Sequence, residues 1–285
     1  MDKSVSLLLL VQINLIIGCV PVTKVFYLSP SNANSNPYHT IPLKKDSVKN
    51  ASYISALFNA GSANDDGDNE YALRINFHRS HNFGNFQAYY GLNGTIGIYS
   101  IAEFKNYKYQ AQGGFFPSYL AYDSGYLIPP KNAFFGSAGF NGGINLVIPF
   151  RKGEWRPLGL ETSIQKEFGD YLNFRKNLPD TAATVIFRNS ATATIGIYTD
   201  IIGRTRRGTE FGYKFALGMV LNPTNDYSRF NSADIFPVGY LSNTFHLTKG
   251  QITGFLQFNF GTYATNFQTG VNFKLAKKAN RRKDR

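Results

Sequence analysis

The feature that most constrains the fold is a two-residue alternation of apolar and polar side chains that recurs over residues 51–275. In the segment 252–260, for example, Leu256 and Phe258 flank Gln257. Successive side chains of a β-strand point to opposite faces, so this period predicts half-buried strands. About ten such segments are present, at residues 51–60, 71–78, 86–93, 140–148, 158–165, 192–198, 211–217, 241–247, 252–260 and 263–275.

Composition is compatible with two all-β architectures. Aromatic residues make up 15% of the chain, with 25 Phe and 18 Tyr, while charged residues make up only 17% and the mean hydropathy is −0.24. A membrane β-barrel has this balance because lipid-facing and lumen-facing residues alternate along each strand. A soluble β-sandwich also fits these values, so composition does not decide between the two.

The lengths of the connections favour the barrel. In a membrane barrel, short turns lie at the periplasmic end and longer loops at the outer end. The predicted short connections are 151–154, 203–208 and 249–250, and the long ones are 101–131, 170–181 and 222–238. The sequence therefore predicts an all-β fold, an antiparallel transmembrane β-barrel over residues 50–275. It has about ten strands within a range of eight to twelve, because 101–131 is either one loop or a loop with a further hairpin.

The last predicted strand carries a recognisable pattern. Its residues Gln268, Gly270, Phe273 and Leu275 resemble the β-signal of outer-membrane proteins, in which a polar residue, a glycine and two hydrophobic residues recur at fixed spacing. The match is loose and covers eight residues. The resemblance implies recognition by the barrel-assembly machinery during biogenesis.

The N-terminus predicts export. Residues 5–17 form an apolar run that is too short and too interrupted for a transmembrane helix, which needs about 20 apolar residues, but that suits a signal peptide over residues 1–18. The sequence Ile-Ile-Gly-Cys ending at Cys19 resembles the bacterial lipobox. This resemblance implies cleavage between Gly18 and Cys19 and acylation of Cys19, with palmitate among the attached chains.

Residues 19–49 are rich in Pro, Asn and Ser, which predicts a lipidated N-terminus followed by an extended periplasmic tether. No acidic run follows Cys19, so the anchor is expected in the periplasmic leaflet. The chain ends in a basic tail over residues 276–285.

The net charge of +12 is concentrated in the predicted turns and the tail. An exported protein does not meet nucleic acid, so we expect outer-membrane lipids or an acidic partner protein to face this charge. The predicted basic periplasmic face comprises Arg204, Arg206, Arg207, Lys277, Lys278, Arg281 and Arg282.

Signals for catalysis, metals or cofactors are weak. A single Cys excludes disulfides and Cys-based zinc sites. The local cluster His78-Arg79-Ser80-His81 is predicted at a periplasmic turn, His246 is predicted to face the interior, and the acidic run at 64–70 is predicted to be a solvated outer loop. No Gly-x-Ser-x-Gly motif occurs. We therefore expect no enzyme activity, no cofactor and no metal.

The expected role is a structural or accessory subunit of a larger outer-membrane assembly, secretion or transport complex, with a membrane-protein partner of unknown identity. A narrow solute or ion channel and a lipid-modifying enzyme remain alternatives. Inward charges of both signs should pair and plug a narrow barrel; those predicted are Arg74, Arg188, Lys214, Lys274, Glu161, Glu167 and Glu210. A lipobox before a Tyr/Phe/Asn-rich barrel also resembles outer-membrane proteins of the Bacteroidota, which implies a location in the cell outer membrane.

Overall fold

The structure is a computed structural model that describes residues 26–30, 36–46, 49–63, 67–103, 128–179, 185–221, 239–261 and 264–275. Its elements are β1 (Phe26–Tyr27), a 3-10 turn (Lys44–Asp46), β2 (Asn50–Ala63), β3 (Asp68–Phe83), β4 (Phe86–Ile101), β5 (Lys131–Leu146), β6 (Ile148–Phe150), β7 (Gly153–Phe168), α1 (Asp170–Asn177), β8 (Val185–Ile186), β9 (Ala191–Arg204), β10 (Glu210–Val220), β11 (Gly239–Lys249), β12 (Ile252–Gly261) and β13 (Ala264–Leu275). Within these ranges, the helices do not reach the length and apolarity needed to span a membrane.

Ten strands form one antiparallel sheet that closes on itself. The strands β2 to β5, β7 and β9 to β13 each pair with their sequence neighbours, and the short β6 continues β5 along β7. The last strand, β13, pairs with β2 in unbroken register from Ala264 opposite Ala63 to Leu275 opposite Ser52. Closure leaves no free sheet edge, as a bilayer-spanning sheet requires. The predicted antiparallel barrel of about ten strands is confirmed.

The alternation predicted from sequence separates the two faces of the wall. In β3, Leu73 and Ile75 point outward and are 58% and 61% exposed, whereas Arg74 and Asn76, which alternate with them, are buried. The same pattern runs around the barrel, so large apolar side chains cover the outside and polar ones line the inside. Outward-facing examples are Ile54, Phe77, Leu92, Ile96, Phe140, Ile164, Ile197, Phe211, Leu217, Phe245, Leu256 and Phe273.

The two ends of the barrel differ. At one end, which we call the short-turn end, lie the tight connections after β3, β6, β9 and β11, the start of β2 and the end of β13. Gly84, Gly208 and Gly250 adopt φ values of 59°, 79° and 64° in these turns, a backbone conformation that glycine adopts without strain. The opposite end, which we call the long-loop end, carries the connections after β2, β4, β7, β10 and β12. Three of these are long, as predicted, and those after β2 and β12 are short.

An apolar cluster closes over part of the long-loop end. Helix α1 places Tyr171 against Tyr99, with ring centroids 4.0 Å apart. Arg175 of the same helix pairs with Glu167 and donates a hydrogen bond of 2.6 Å to the carbonyl of Phe187. The connection between β7 and β9 is therefore packed onto the barrel mouth. The cluster comprises Tyr27, Ala72, Tyr99, Ile101, Ile128, Ala133, Phe135, Tyr171, Leu178 and Ile186.

The prediction of a solvated acidic loop at 64–70 is wrong for its last residues, while residues 64–66 lie outside the described ones. Asp68 and Glu70 begin β3 and are buried. Asp68 accepts hydrogen bonds from the Tyr99 hydroxyl at 3.0 Å and the Ala102 amide at 2.7 Å. Glu70 accepts one from Asn59 at 2.7 Å. Their spacing puts both carboxylates on the inward face of the strand.

The outer wall gives a stability prediction. Ile75 lies at the middle of β3 on the lipid-facing side, so Ile75→Arg should lower the free energy of unfolding by about 2–4 kcal/mol. Phe83→Arg, on the same face at the strand end, should cost only about 0–1 kcal/mol. Urea titration in lipid vesicles, followed by heat-modifiable gel migration, measures both. Equal costs at the two positions would contradict a bilayer around this wall.

Candidate functional site

The lumen of the barrel is occupied by the chain itself. Residues 36–46, which we call the luminal segment, run inside the wall, and all residues from 36 to 43 are buried. The surrounding inward face is mostly polar. An extended segment in such a place must bond its backbone groups to side chains of the wall.

The part of the luminal segment nearest the long-loop end is held through Asn36. Its side-chain amide donates to the hydroxyl of Tyr240 at 3.0 Å, and its side-chain oxygen accepts from Thr194 at 3.0 Å. Its backbone carbonyl accepts from Gln257 at 2.9 Å. One residue thus contacts β9, β11 and β12.

Aromatic stacking holds the next two residues. Tyr38 stacks on His246, with ring centroids 4.6 Å apart, and also packs against Phe255. His39 stacks on Tyr89 at 4.6 Å on the opposite side of the lumen. The segment therefore bridges the two halves of the barrel.

Three consecutive backbone carbonyls follow, each bonded to a different strand. The carbonyl of residue 40 lies 2.9 Å from Nε2 of His78. The carbonyl of residue 41 accepts from Arg156 at 3.1 Å, and that of residue 42 accepts from Gln87 at 2.9 Å. Side chains of the wall therefore provide the hydrogen bonds that the backbone of a neighbouring strand would otherwise provide.

Arg156 is the centre of a buried charge network. It pairs with Glu154 at 2.7 Å and with Asp200 at 2.9 Å, and all three side chains are almost wholly inaccessible. Asp200 also contacts His246 at 3.2 Å. Glu154 in turn accepts the backbone amide of Lys44 at 2.7 Å. The network therefore joins the wall to the luminal segment at two points.

The inward orientation of Arg156 was not predicted from the sequence, because a β-bulge interrupts the alternation of the strand. The pairing of β7 with β9 shifts register between Arg156 and Gly159. A bulge adds one residue to one strand and reverses the facing of the residues beyond it. Arg156 therefore points inward although it shares the parity of Leu158 and Leu160, which point outward.

At the short-turn end, Asp46 pairs with Arg204 at 2.6 Å, and Arg204 also pairs with Glu210. Arg204, predicted as part of a basic face, is thus neutralised by two carboxylates. Arg206 and Arg207 lie in the turn after β9 and are exposed. The other predicted members of that face, Lys277, Lys278, Arg281 and Arg282, lie outside the described residues, as does the rest of the 276–285 tail.

The prediction of a tether outside the barrel is wrong for residues 36–43. They are extended, as expected, but they lie within the lumen. Pro, Asn and Ser are typical of linkers, yet they equally suit a segment without regular secondary structure that is bonded by polar wall side chains. The available signal was the apolar content of this stretch, in Tyr38, Ile41 and Leu43.

The predicted histidine cluster is divided between the two faces of β3. His78 is fully buried and contacts the luminal segment. His81 lies on the outside and stacks on Tyr90 at 5.6 Å. The cluster lies in a strand rather than at a turn, because β3 extends to Phe83. His246 faces the interior, as predicted.

Most of the predicted inward charges are found inside. Lys214 pairs with Glu161 at 2.5 Å, and Glu167 pairs with Arg175. Arg74 is buried beside Thr95. Arg188 lies in the connection before β9 and donates to the carbonyl of residue 178 at 2.7 Å, so it is not part of a strand.

The proposed β-signal residues lie in the closing strand. In β13, Gln268 is buried in the lumen, while Phe273 and Leu275 face outward and Gly270 packs beside Leu57. Their use by an assembly machinery stays a prediction.

Gly18 and Cys19 lie outside the described residues, so lipidation also stays a prediction. No group of three or more His, Cys, Asp or Glu in the described ranges is arranged to hold a metal ion.

The outer wall carries a concave groove of about 1130 Å³ across β9 to β13, near the short-turn end. Gly254 lines the groove on the outward face of β12, and a Cβ built there would meet no atom within 4 Å. We call this the wall groove; its apolar lining includes Phe150, Ile201, Phe211, Leu247, Ile252, Leu256 and Val271.

No protein-family model matches the sequence, and no curated protein is similar to it. Among solved structures, the translocator domain of the autotransporter NalP from Neisseria meningitidis aligns with a TM-score of 0.40 at 9% identity, covering 82% of this chain and 91% of that one. The transport unit of the autotransporter AIDA-I from Escherichia coli aligns at 0.35 and 9% identity, covering 84% and 93%. The KdgM porin in complex with disordered oligogalacturonate aligns at 0.26 and 10%, covering 79% and 99%.

The fold is an outer-membrane-type β-barrel. This conclusion depends on the closed ten-stranded sheet and its apolar outer wall, since similarities at these identities and TM-scores carry no inference about activity. Each wall strand has at least ten residues, and about 9–11 are enough to cross a bilayer. Two features of this barrel bear on its function: the occupied lumen and the wall groove.

Cross-linking tests the position of the luminal segment. The rings of His39 and His78 lie 5.0 Å apart. In the pair His39→Cys with His78→Cys, a short bifunctional thiol reagent should join the two residues and increase the mobility of the denatured chain on gels. His39→Cys with His81→Cys should not cross-link, because His81 lies on the outer face. Similar yields from the two pairs would place residue 39 outside the lumen.

The charge network gives a second prediction. Arg156→Met leaves the carboxylates of Glu154 and Asp200 buried beside an uncharged side chain, so it should destabilise the barrel by about 3–5 kcal/mol. Arg206→Met, in an exposed turn, is the matched control and should change stability by no more than about 0.5 kcal/mol. Urea unfolding midpoints in detergent compare the two variants.

Proposed function

We propose that this chain is a non-enzymatic outer-membrane barrel that acts as an accessory subunit of a larger outer-membrane complex. The observation that carries the proposal is the luminal segment. A lumen filled by the protein's own residues leaves the outer wall and the two ends as the surfaces available for function.

The luminal segment is held by hydrogen bonds and ion pairs that oppose its displacement. Residues 36–46 contact β3, β4, β7, β9, β11 and β12 through hydrogen bonds or ion pairs with eight wall side chains and with the turn residue Asn85. The wall side chains are His78, Gln87, Glu154, Arg156, Thr194, Arg204, Tyr240 and Gln257. Leaving a buried polar group unpaired costs about 1–3 kcal/mol. Withdrawal of the segment would leave many such groups without partners unless water replaced it. This favours a closed barrel over the channel alternative.

The wall groove is the surface we assign to the partner. A barrel wall is normally convex, whereas here the outward face carries a concave apolar groove whose lining includes Gly254, which has no side chain. In a bilayer, close packing between protein surfaces stabilises association, and small residues allow close approach. A transmembrane segment of a partner protein fits this description.

The charged residues next to the groove supply a polar contact. Lys249 borders the groove at the short-turn end, where Arg206 and Arg207 are also exposed. Carboxylates of a partner or anionic lipid headgroups would complement them. The partner is thus expected to contact both the wall and this rim.

Two glycine variants test the partner site. Gly254→Phe places an aromatic ring in the wall groove, so a partner that co-purifies after gentle detergent extraction should be lost. Gly94→Phe adds the same ring at an outward-facing position of β4, where the nearest atom to a Cβ is 3.9 Å away, and should retain the partner. Quantitative mass spectrometry of both pull-downs is the measurement, with heat-modifiable migration as the control for folding. Retention of all partners by Gly254→Phe would contradict a role for the groove.

Planar-bilayer recording tests the closed lumen. The wild-type protein should show no stable conductance, whereas deletion of residues 20–46 should produce a narrow, defined conductance because the lumen is then empty. A stable conductance from the wild-type protein would overturn the proposal and restore the channel alternative. If the deletion variant does not fold, the wild-type recording alone decides.

A further inference from the structure

The direction in which the chain passes through the lumen has a consequence for its N-terminus. Strand β1 pairs in parallel with β8, with Phe26 opposite Val185 and Tyr27 opposite Ile186. The amide of Phe187 donates to the carbonyl of Tyr27 at 2.9 Å. Since β8 lies in the connection between β7 and β9, residues 26–27 are at the long-loop end.

The contacts of the luminal segment then descend in order. Asn36 contacts Thr194 and Tyr240, which lie near the long-loop ends of β9 and β11. The carbonyls of residues 40–42 bond to His78, Arg156 and Gln87, whose positions in β3, β7 and β4 are close to the short-turn end.

The last contacts reach the turns themselves. The Lys44 ammonium donates to Asn85 in the turn after β3 at 2.6 Å, and Asp46 pairs with Arg204 at the end of β9. Strand β2 then starts at Asn50 at the same end. Residues 36–46 therefore cross the barrel once inside the lumen, from the long-loop end to the short-turn end.

We propose that the chain enters the lumen from the long-loop end, so that Phe26 and Tyr27 lie at the outer surface of the cell. This differs from the periplasmic tether expected from the sequence for residues 19–49. The assignment of the long-loop end to the outside follows from the usual arrangement of membrane barrels. The proposal goes beyond the accessory role and does not depend on it.

The contacts that fix this direction are buried and charged. Reversing the path would separate Asp46 from Arg204 and the Lys44 amide from Glu154, and it would remove Tyr27 from its apolar cluster.

Protease sites on intact cells test the proposal with the full chain. One recognition site is inserted between Thr23 and Lys24, a second between Arg206 and Arg207 at the short-turn end, and a third in the 222–238 connection at the long-loop end, each in a separate variant. Added protease should remove the full-length band of the first and third variants in intact cells. The second should be cut only after the outer membrane is permeabilised.

Each result is decisive once heat-modifiable migration has shown that the variant is folded. Protection of the Thr23 site together with the Arg206 site would overturn the passage through the lumen. Cleavage of the Thr23 site together with the Arg206 site, with the 222–238 site protected, would invert the barrel and also overturn it.

Discussion

The structure depends on one constraint: every backbone amide and carbonyl of a strand inside a bilayer must be bonded within the protein. Pairing of β13 with β2 meets that constraint by removing both sheet edges. Closure in turn separates two environments, because alternate side chains then face either lipid or the lumen. The apolar outer wall and the polar interior are therefore two results of the same geometry.

A polar interior has its own requirement. Buried hydrogen-bonding groups need partners, and the side chains of a ten-stranded wall do not satisfy one another across the lumen everywhere. The luminal segment provides backbone carbonyls to His78, Arg156 and Gln87. Arg156 pairs with Glu154 and Asp200, and it also bonds to the carbonyl of residue 41, so that one side chain joins the charge network of the wall to the segment. The filling of the barrel is thus part of its stability and not only an obstacle to transport.

Much of the wall could be predicted from sequence, because a period of two is visible wherever one face meets lipid. Strands around Leu73, Phe211 and Leu256 followed directly from that period. The alternation failed at Arg156, where a bulge changes the facing within one strand. It also gave no information about residues 36–43, whose partners lie up to 221 positions away along the chain. Asp68 and Glu70 were misplaced because an acidic composition suggested solvent, whereas their bonds to Tyr99 and Asn59 place them in the wall.

The hydrogen bond between Asn36 and Gln257 also bears on the order in which the barrel folds. It joins one of the first described residues to the penultimate strand, and such long-range contacts form late because a large loop must close first. The luminal segment is tied at both ends and enclosed on all sides, so insertion into a finished barrel would require these ties to open. We therefore expect the wall to assemble around the segment, with the pairing of β13 to β2 as the step after which its path can no longer be changed.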